Sequence, residues 1–245
     1  MGKILDNIFS LKKQHKKALA ILIDPDNLSQ ELLAKQVTLA KENSVDFFFI
    51  GGSMITEDCL GETIDFIKLN CEIPAVIFPG NVTQVSSKAD GILFLSLISG
   101  RNAELLIGNH VLSAPIIKKA GIEVLSTGYM LIDGGKPTAV SYVSNSFPIP
   151  SDKPKIAAVT ALAGEMLGLK LNFLDAGSGA IKKVSKEMIE ATVNGSQNPL
   201  IIGGGINSAK GAKEAWDAGA TVVVIGNAIE ENPSLIEEVS NVKFN

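Results

Sequence analysis

Eight short apolar runs, rich in branched side chains, constrain the fold of this 245-residue chain more than any other feature. They lie at residues 18–24, 46–52, 74–78, 91–97, 122–132, 170–176, 199–204 and 221–226. Each is continuously apolar rather than alternating, which is typical of strands buried on both faces. Most are separated by stretches with apolar residues at helical spacing, such as "SQELLAKQVTLAKENS". Strand–helix alternation eight times over predicts an α/β fold of the TIM-type (β/α)8 barrel class.

The barrel is expected to occupy residues 1–245 as a single domain, because no linker-like or low-complexity stretch interrupts the chain. One unit departs from the pattern. The segment "PGNVTQVSSKAD" after the third run is too short for much helix. We therefore expect an irregular unit around strand 3.

Charge and hydropathy exclude several classes of protein. The formal net charge is −4 and no block of Lys and Arg is present, so nucleic-acid binding is not expected. No apolar run approaches the roughly 20 residues that span a bilayer. The amino-terminal "MGKILDNIFS" lacks the apolar core of a signal peptide. Cys59 and Cys71 are therefore expected to be free thiols of a cytoplasmic protein.

Glycine marks the ends of the last three predicted strands. Strand 6 ends in "DAGSGA", strand 7 in "GGGIN" and strand 8 in "GNAI". In such barrels these ends meet at one mouth, where phosphate is often bound between the last loops. We interpret the three turns as a phosphate cradle of backbone amides, with tight turns that bind nothing as the alternative. The patterns of dinucleotide and P-loop sites are absent from the sequence.

An acidic residue ends the first predicted strand. Asp24 follows the apolar run directly, whereas Asp26 or Asn27 is expected to cap the next helix. A carboxylate at the carboxyl end of a barrel strand indicates catalysis or metal binding. Ser53 follows strand 2 across the mouth, and one carboxylate, one hydroxyl and waters suit Mg²⁺. Neither of the two histidines joins a zinc-binding or catalytic-triad pattern.

Seven stretches together resemble the geranylgeranylglyceryl phosphate synthase family, which includes heptaprenylglyceryl phosphate synthases. They are "LIDPDN", "FIGGSMIT", "VIFPGN", "STGYMLIDGG", "FLDAGSGA", "IIGGGINS" and "VVIGNAI", and they cover nearly the whole chain. The resemblance implies a TIM-type barrel prenyltransferase of lipid biosynthesis. Such an enzyme transfers a geranylgeranyl group from its diphosphate to the 3-hydroxyl of sn-glycerol 1-phosphate, with Mg²⁺, and releases diphosphate.

The resemblance also implies residue roles. Asp24 and Ser53 stand at the Mg²⁺ positions of the family, and Asp24 would act in catalysis through the metal. Asp175 would orient or deprotonate the glycerol hydroxyl. The glycerol phosphate site would comprise Phe173, Leu174, Asp175, Ala176, Gly177, Ser178, Gly179, Gly204, Gly205, Gly226 and Asn227.

The chain departs from the family at strand 6. The family commonly has Tyr-Leu-Glu-Ala-Gly-Ser-Gly where this chain has "FLDAGSG". Phe173 lacks the tyrosine hydroxyl, and Asp175 is one methylene shorter than the glutamate. Because Asp175 keeps the carboxylate, its role can persist with a shifted substrate or a bridging water. Its alternative role is to accept a backbone amide in the following turn.

A prenyl tail requires an apolar surface. Candidates are Leu93, Leu95 and Leu97 in "LFLSLISG" and Tyr129 in "TGYMLI", with plain core packing as the alternative. Release of a lipid product implies transient membrane contact. We also expect a homo-oligomer that forms through outer helices, with Trp216 as one candidate contact and half-buried helix packing as the alternative for this residue.

Two other functions stay open at this stage. A phosphosugar isomerase-like barrel would use Asp24 and Asp175 as an acid–base pair. A catalytically inactive barrel would only bind a phosphorylated ligand. The sequence does not determine the length of the prenyl chain.

Overall fold

The computed structural model of the protein describes residues 2–27, 29–52 and 59–244. Eight parallel strands form one closed barrel in which each strand pairs with the next along the chain and the last pairs with the first. They are β1 (Ala18–Ile23), β2 (Phe47–Ile50), β3 (Ala75–Ile77), β4 (Gly91–Leu97), β5 (Glu123–Leu131), β6 (Leu171–Asp175), β7 (Leu200–Gly203) and β8 (Val222–Ile225). Each lies within one of the eight apolar runs, so the predicted fold class is confirmed.

Helices surround and close the barrel. They are α1 (Lys3–Lys13), α2 (Gln30–Glu42), α3 (Leu60–Asn70), α4 (Asn109–Ala120), α5 (Ala139–Ser144), α6 (Pro154–Met166), α7 (Lys186–Gly195), α8 (Ala209–Asp217), α9 (Asn227–Glu231) and α10 (Leu235–Lys243). A π-helical turn at Glu104–Gly108 leads into α4. Residues 78–90, between β3 and β4, form turns without a helix, as the irregular unit predicted. None of the helices in the described ranges is long and apolar enough to cross a membrane.

Alternate residues of each strand face two separate apolar layers. On β2, Phe47 and Phe49 face the barrel interior, whereas Phe48 and Ile50 pack against the outer helices. All four side chains are fully buried. A strand with an apolar layer on each face needs apolar residues at every position, which explains the continuous runs. Each such burial contributes about 1.5–3 kcal/mol to the free energy of folding.

Helix α1 closes the amino-terminal end of the barrel. Its Ile4 and Leu5 are buried in the inner apolar layer. Glu123, at the start of β5, accepts hydrogen bonds from the N–H groups of these two residues at 2.9 and 2.8 Å. The ammonium of Lys12 donates to two carbonyl oxygens of residues 197–198 at 2.6 and 3.0 Å. Glu123 therefore satisfies two backbone N–H groups at the start of this helix, and Lys12 ties its other end to the segment before β7.

The structure decides two expectations about helices, choosing packing over a subunit contact for Trp216 and contradicting the predicted cap of α2. Trp216 on α8 is only 4% exposed, and its indole N–H donates to the carbonyl oxygen of Ala18 at 3.2 Å. Trp216 therefore anchors α8 to the barrel and is not available as a contact between subunits. Helix α2 is capped by Ser29, whose hydroxyl oxygen accepts a hydrogen bond in the first turn, rather than by Asp26 or Asn27. The latter two belong to a 3-10 turn.

Candidate active site

A cavity of about 540 Å³ opens at the carboxyl ends of the strands, opposite α1. One arm is lined by the turns that follow β6, β7 and β8. The other arm is lined by apolar side chains of β4, α4 and the turns that follow β3. Asp175 and Tyr129 lie where the two arms meet, on one side of the barrel. Asp24, which follows β1, lies on the opposite side. This is the end at which TIM barrels carry their active sites.

Among the backbone amides at this mouth that make no hydrogen bond within the described part of the chain are four in the turns after β6 and β7. They belong to Ser178 and Gly179 after β6 and to Gly204 and Gly205 after β7. All four residues line the cavity. Backbone N–H groups require acceptors, and only water or a ligand can supply them here. The arrangement fits the predicted phosphate cradle.

Close packing also requires glycine at two of these positions. The φ angles of Gly204 and Gly205 are +77° and +69°. A Cβ atom on Gly204 would lie 2.6 Å from Oδ1 of Asp175, and one on Gly205 would lie 2.9 Å from the backbone nitrogen of Lys183. Tight turns therefore account for the shape of this segment. That same packing brings the β7 turn against Asp175, so the two interpretations do not exclude each other.

Hydrogen bonds join the three turns into one rim. The hydroxyl of Ser178 donates to Oδ1 of Asn227 at 2.7 Å. The N–H of Ala176 donates to the carbonyl oxygen of Gly203 at 3.1 Å. Gly226 lines the cavity beside Asn227. The predicted β6, β7 and β8 segments are therefore brought together in space.

Two residues of the predicted glycerol phosphate site face elsewhere. Leu174 and Ala176 pack in the outer apolar layer, and neither lines the cavity. Phe173 and Asp175, on alternate positions of β6, do line it. The period of two in a strand separates these pairs. The side chains of Leu174 and Ala176 therefore cannot contact a ligand in the cavity.

Asp175 ends β6 and is 8% exposed. Its Oδ1 accepts a hydrogen bond from the N–H of Gly177 at 2.7 Å, so the alternative role in the turn is present. Its Oδ2 accepts a hydrogen bond from the hydroxyl of Tyr129 at 2.5 Å. Burial raises the pKa of Asp175, and these two hydrogen bonds oppose the shift. A buried, hydrogen-bonded carboxylate at a cavity is a candidate for acid–base chemistry.

Tyr129 lies beneath this carboxylate rather than only along the apolar arm. It pairs with Phe173 across β5 and β6, and its ring packs edge-on against Phe173 and Phe78 at centroid distances of 5.4 and 6.1 Å. Burial, together with the negative charge of Asp175, raises the pKa of Tyr129 well above its ordinary value. The hydroxyl therefore stays protonated and donates. The neighbouring strand thus supplies a hydroxyl that Phe173 lacks.

A second carboxylate accompanies Asp24. Oδ1 of Asp24 accepts a hydrogen bond from the N–H of Asp26 at 3.2 Å. A Cβ atom on Gly52 would lie 3.0 Å from Oδ2, so glycine allows the β2 turn to approach this carboxylate. Glu230 on α9 also lines the cavity, and burial followed by the charge of Asp24 raises the pKa of Glu230. Glu230 was not predicted from the sequence. Ser53 lies outside the described residues.

The apolar arm contains the three leucines predicted for it. Leu93, Leu95 and Leu97 line the cavity, and Phe78, which was not predicted, joins them. His110 also lines this arm, edge-on to the ring of Phe94 with centroids 4.5 Å apart. Burial lowers the pKa of His110, which favours the neutral ring. No sequence pattern had distinguished His110 from a surface histidine.

Comparison with known proteins decides the family. A model of the PcrB family matches residues 12–243. The chain belongs to the PcrB family. A geranylgeranylglyceryl phosphate synthase of Chitinophaga pinensis is 50% identical over 240 residues, which cover 98% of this chain and 95% of that protein. The protein of the same name from Pyrococcus horikoshii is 40% identical, with coverage of 97% and 92%.

Solved structures agree with this assignment. The crystal structure of (S)-3-O-geranylgeranylglyceryl phosphate synthase from Thermoplasma acidophilum, in complex with its substrate sn-glycerol-1-phosphate, matches with a TM-score of 0.92. Its sequence is 28% identical, and the match covers 99% of this chain and 98% of that one. The tryptophan synthase alpha chain of Legionella pneumophila, at 13% identity and a TM-score of 0.61, shares the fold alone. The family resemblance seen in the sequence is confirmed.

Proposed function

We propose that this PcrB-family protein transfers a geranylgeranyl group from its diphosphate to the 3-hydroxyl of sn-glycerol 1-phosphate and releases diphosphate. The observation that carries the proposal is the position of Asp175 between four unpaired amides and an apolar arm of the same cavity. A phosphorylated alcohol and a prenyl chain would meet at this carboxylate. The related Thermoplasma acidophilum enzyme is described with sn-glycerol-1-phosphate as its substrate, which supports that acceptor here.

The glycine turns would hold the phosphate. The amides of Ser178, Gly179, Gly204 and Gly205 have no partner in the described part of the chain and line the polar arm. Hydrogen bonds from such amides to a dianion are charge-assisted and therefore strong. With the phosphate fixed at this rim, the glycerol hydroxyls extend towards Asp175.

Asp175 would orient the acceptor hydroxyl and take its proton. The carboxylate is already anchored by Gly177 and Tyr129, so its orientation is determined before the substrate binds. Holding the hydroxyl near the allylic carbon is the main requirement, because reacting groups in the correct geometry contribute much of the rate. Proton transfer to a placed carboxylate contributes further.

The acidic wall of the cavity suits Mg²⁺. Oxygen donors are the ligands that Mg²⁺ prefers, and Asp24 provides a carboxylate that faces the cavity over the bare backbone of Gly52. Among the described residues, no three His, Cys, Asp or Glu side chains are grouped to hold a metal. A site with one or two carboxylates, here Asp24 with Glu230 nearby, fits an ion that keeps several waters and binds substrate phosphate. When bound, Mg²⁺ neutralises the charge of a leaving diphosphate.

The prenyl tail would follow the apolar arm. Residues 78–90 form turns where a regular barrel has a helix, and Val82 and Val85 of this segment line the cavity together with Ile117 of α4. The side of the cavity between α4 and these turns would give the tail an exit from the mouth. Exposed apolar side chains lie beside this arm, including Ile107 in the π-helical turn and Val111 on α4, and would contact a membrane during product release.

Exposed apolar side chains on an outer helix support self-association. On α6, Ile156, Val159 and Met166 are exposed by 45%, 53% and 78%. An apolar helix face of this kind is typical of a subunit interface. We therefore propose a cytoplasmic homo-oligomer that assembles through outer helices other than α8. Sedimentation velocity of the wild type and of Val159→Glu tests it. A monomeric wild type would contradict it.

One product analysis tests the proposed activity. The protein is incubated with sn-glycerol 1-phosphate and a series of prenyl diphosphates, with and without Mg²⁺, and the products are identified by mass spectrometry. The expected result is an ether and free diphosphate, in quantity only with Mg²⁺ and with the geranylgeranyl donor preferred. An isomerase would convert a phosphosugar without releasing diphosphate. An inactive barrel would bind glycerol phosphate without forming a product.

A further inference from the structure

A buried hydroxyl lies beneath the carboxylate that the proposed reaction depends on. The ring of Tyr129 is 6% exposed and packs against Phe173 and Phe78. Its hydroxyl donates to Oδ2 of Asp175 at 2.5 Å, across 46 positions of sequence. Tyr129 therefore makes a directed polar contact that plain core packing does not require.

The two oxygens of Asp175 are held by two different donors, one in the turn after β6 and one on β5. The N–H of Gly177 fixes Oδ1 at 2.7 Å, and Tyr129 fixes Oδ2. No Lys or Arg forms an ion pair with this carboxylate in the described ranges. An aspartate at this position has one torsion fewer than a glutamate, so two anchors are enough to determine where its remaining lone pairs point.

The two hydrogen bonds also act on ionisation. Burial raises the pKa of Asp175, and the bond from Tyr129 is the largest influence that lowers it. The hydroxyl cannot itself accept a proton from the substrate, because burial and the negative charge of Asp175 raise its own pKa well above the ordinary value. Tyr129 is consequently a donor to the base and not the base.

We propose that Tyr129 is a positioning residue in the transfer reaction, because its hydroxyl holds the carboxylate of Asp175 at the junction of the two arms with free lone pairs towards the acceptor. This inference rests on the proposed prenyl transfer. It adds to that function a residue on β5 that acts only through Asp175.

The test compares pH profiles of kcat/KM in wild type and Tyr129→Phe. Ionised Asp175 is the active form, so activity falls as the pH decreases through its pKa. Without the hydroxyl of Tyr129, this acidic limb of the profile should move to a pH about one unit higher. At a given pH on the limb, kcat/KM should be about tenfold lower than in wild type. The dissociation constant for sn-glycerol 1-phosphate should change by less than about twofold, since the phosphate is held by amides elsewhere. A folded Tyr129→Phe with an unmoved limb overturns the proposal.

The chain offers a second test that leaves the packing intact. It contains two tyrosines, and the other, Tyr142, is 86% exposed on α5. In a Tyr142→Phe background, biosynthetic 3-fluorotyrosine labels Tyr129 alone. Fluorination makes the phenol a stronger donor, so the acidic limb should move downwards relative to unlabelled Tyr142→Phe, which serves as the control. If Tyr129→Phe does not fold, the fluorotyrosine-labelled protein provides the test. An acidic limb at the same pH as in the control would again overturn the proposal.

A substrate-free measurement separates failure of this inference from failure of the proposed function. The ¹⁹F resonance of the labelled protein should shift with pH as Asp175 protonates, and Asp175→Asn should abolish that shift. A wild type that makes no ether overturns the proposed function and the role of Tyr129 in it. If the wild type makes the ether but the pH dependence of the ¹⁹F resonance in the labelled protein is unchanged by Asp175→Asn, only the inference about Tyr129 is overturned.

Discussion

The two ends of the barrel differ in whether their backbone N–H groups have hydrogen-bond acceptors. At the closed end, the amides that begin α1 are bonded to the carboxylate of Glu123. At the open end, the amides of Ser178, Gly179, Gly204 and Gly205 have no partner in the described part of the chain. A satisfied amide stabilises the fold, whereas an unsatisfied one is available to a ligand.

Carboxylates show the same division. Glu123 reaches the backbone of α1 and completes a structural cap. Asp175 is held by one backbone amide and one phenol beside an open cavity. Removal of Glu123 should therefore affect stability, and removal of the Asp175 charge should affect turnover. The predictions below separate the two ends on this basis.

The largest effect is expected for Asp175→Asn. Loss of the proton acceptor should reduce kcat about 100- to 10,000-fold, while the dissociation constant for glycerol phosphate changes little. Asp133→Asn is a matched control. Oδ1 of Asp133 accepts a hydrogen bond from the N–H two positions further along the chain at 2.9 Å, and Oδ1 of Asp175 accepts the equivalent bond at 2.7 Å. Single-turnover rates and melting temperatures are measured on the same samples. A near-normal rate with a lowered melting temperature would assign Asp175 to the turn alone.

Asp24→Asn should act through the metal. The Mg²⁺ concentration for half-maximal turnover is expected to rise about 10- to 100-fold, with the fold retained. The measurement is a Mg²⁺ titration of initial rates at saturating prenyl diphosphate. Full activity at the wild-type Mg²⁺ requirement would show that Asp24 only supports its own turn, where it accepts the N–H of Asp26.

Gly179→Ala and Gly121→Ala compare the two ends directly. Their φ angles are +69° and +70°, and a Cβ atom on either one meets no atom closer than 3.7 Å. Both substitutions should lower the free energy of unfolding by about 1–2 kcal/mol, since both force a left-handed conformation on alanine. Only Gly179→Ala should raise the KM for glycerol phosphate, by about tenfold, because only it alters the cradle. Equal KM values would mean that the β6 turn does not bind the phosphate.

The smallest functional effect is expected at the closed end. Glu123→Ala leaves two amides of α1 without their acceptor and should lower the free energy of unfolding by about 1–3 kcal/mol. Its kinetic constants should match those of the wild type, because the cavity is at the other end of the barrel. Glu72→Ala, at an exposed position, is the control for both measurements. A changed KM in Glu123→Ala would refute the separation of the two ends.

The barrel and the glycine turns were predictable because they depend on local patterns. Continuous apolar runs identify strands with two apolar layers, and glycine directly after a strand identifies a turn that backbone must approach closely. Asp24 and Asp175 were predictable for the same reason, since each follows or ends an apolar run. The segment between β3 and β4 was recognisable from its length alone.

The contacts between distant segments were not predictable. The bond from Tyr129 to Asp175 depends on the register of β5 and β6, which places Tyr129 opposite Phe173. Glu230 approaches Asp24 only because β8 pairs with β1 in the closed barrel. For Trp216 the sequence left both a subunit contact and helix packing open, and its burial follows from how α8 packs on β1. Closure of the sheet determines each of these positions, and no single segment carries that information.

The most direct test of the account is an ¹⁵N–¹H titration of the protein with sn-glycerol 1-phosphate. The amides of Ser178, Gly179, Gly204 and Gly205 should show the largest chemical-shift changes, because they gain a charged acceptor. The two α1 amides bonded to Glu123 should not move. Binding that leaves the four mouth amides unchanged would contradict the assignment of this end of the barrel to the phosphate.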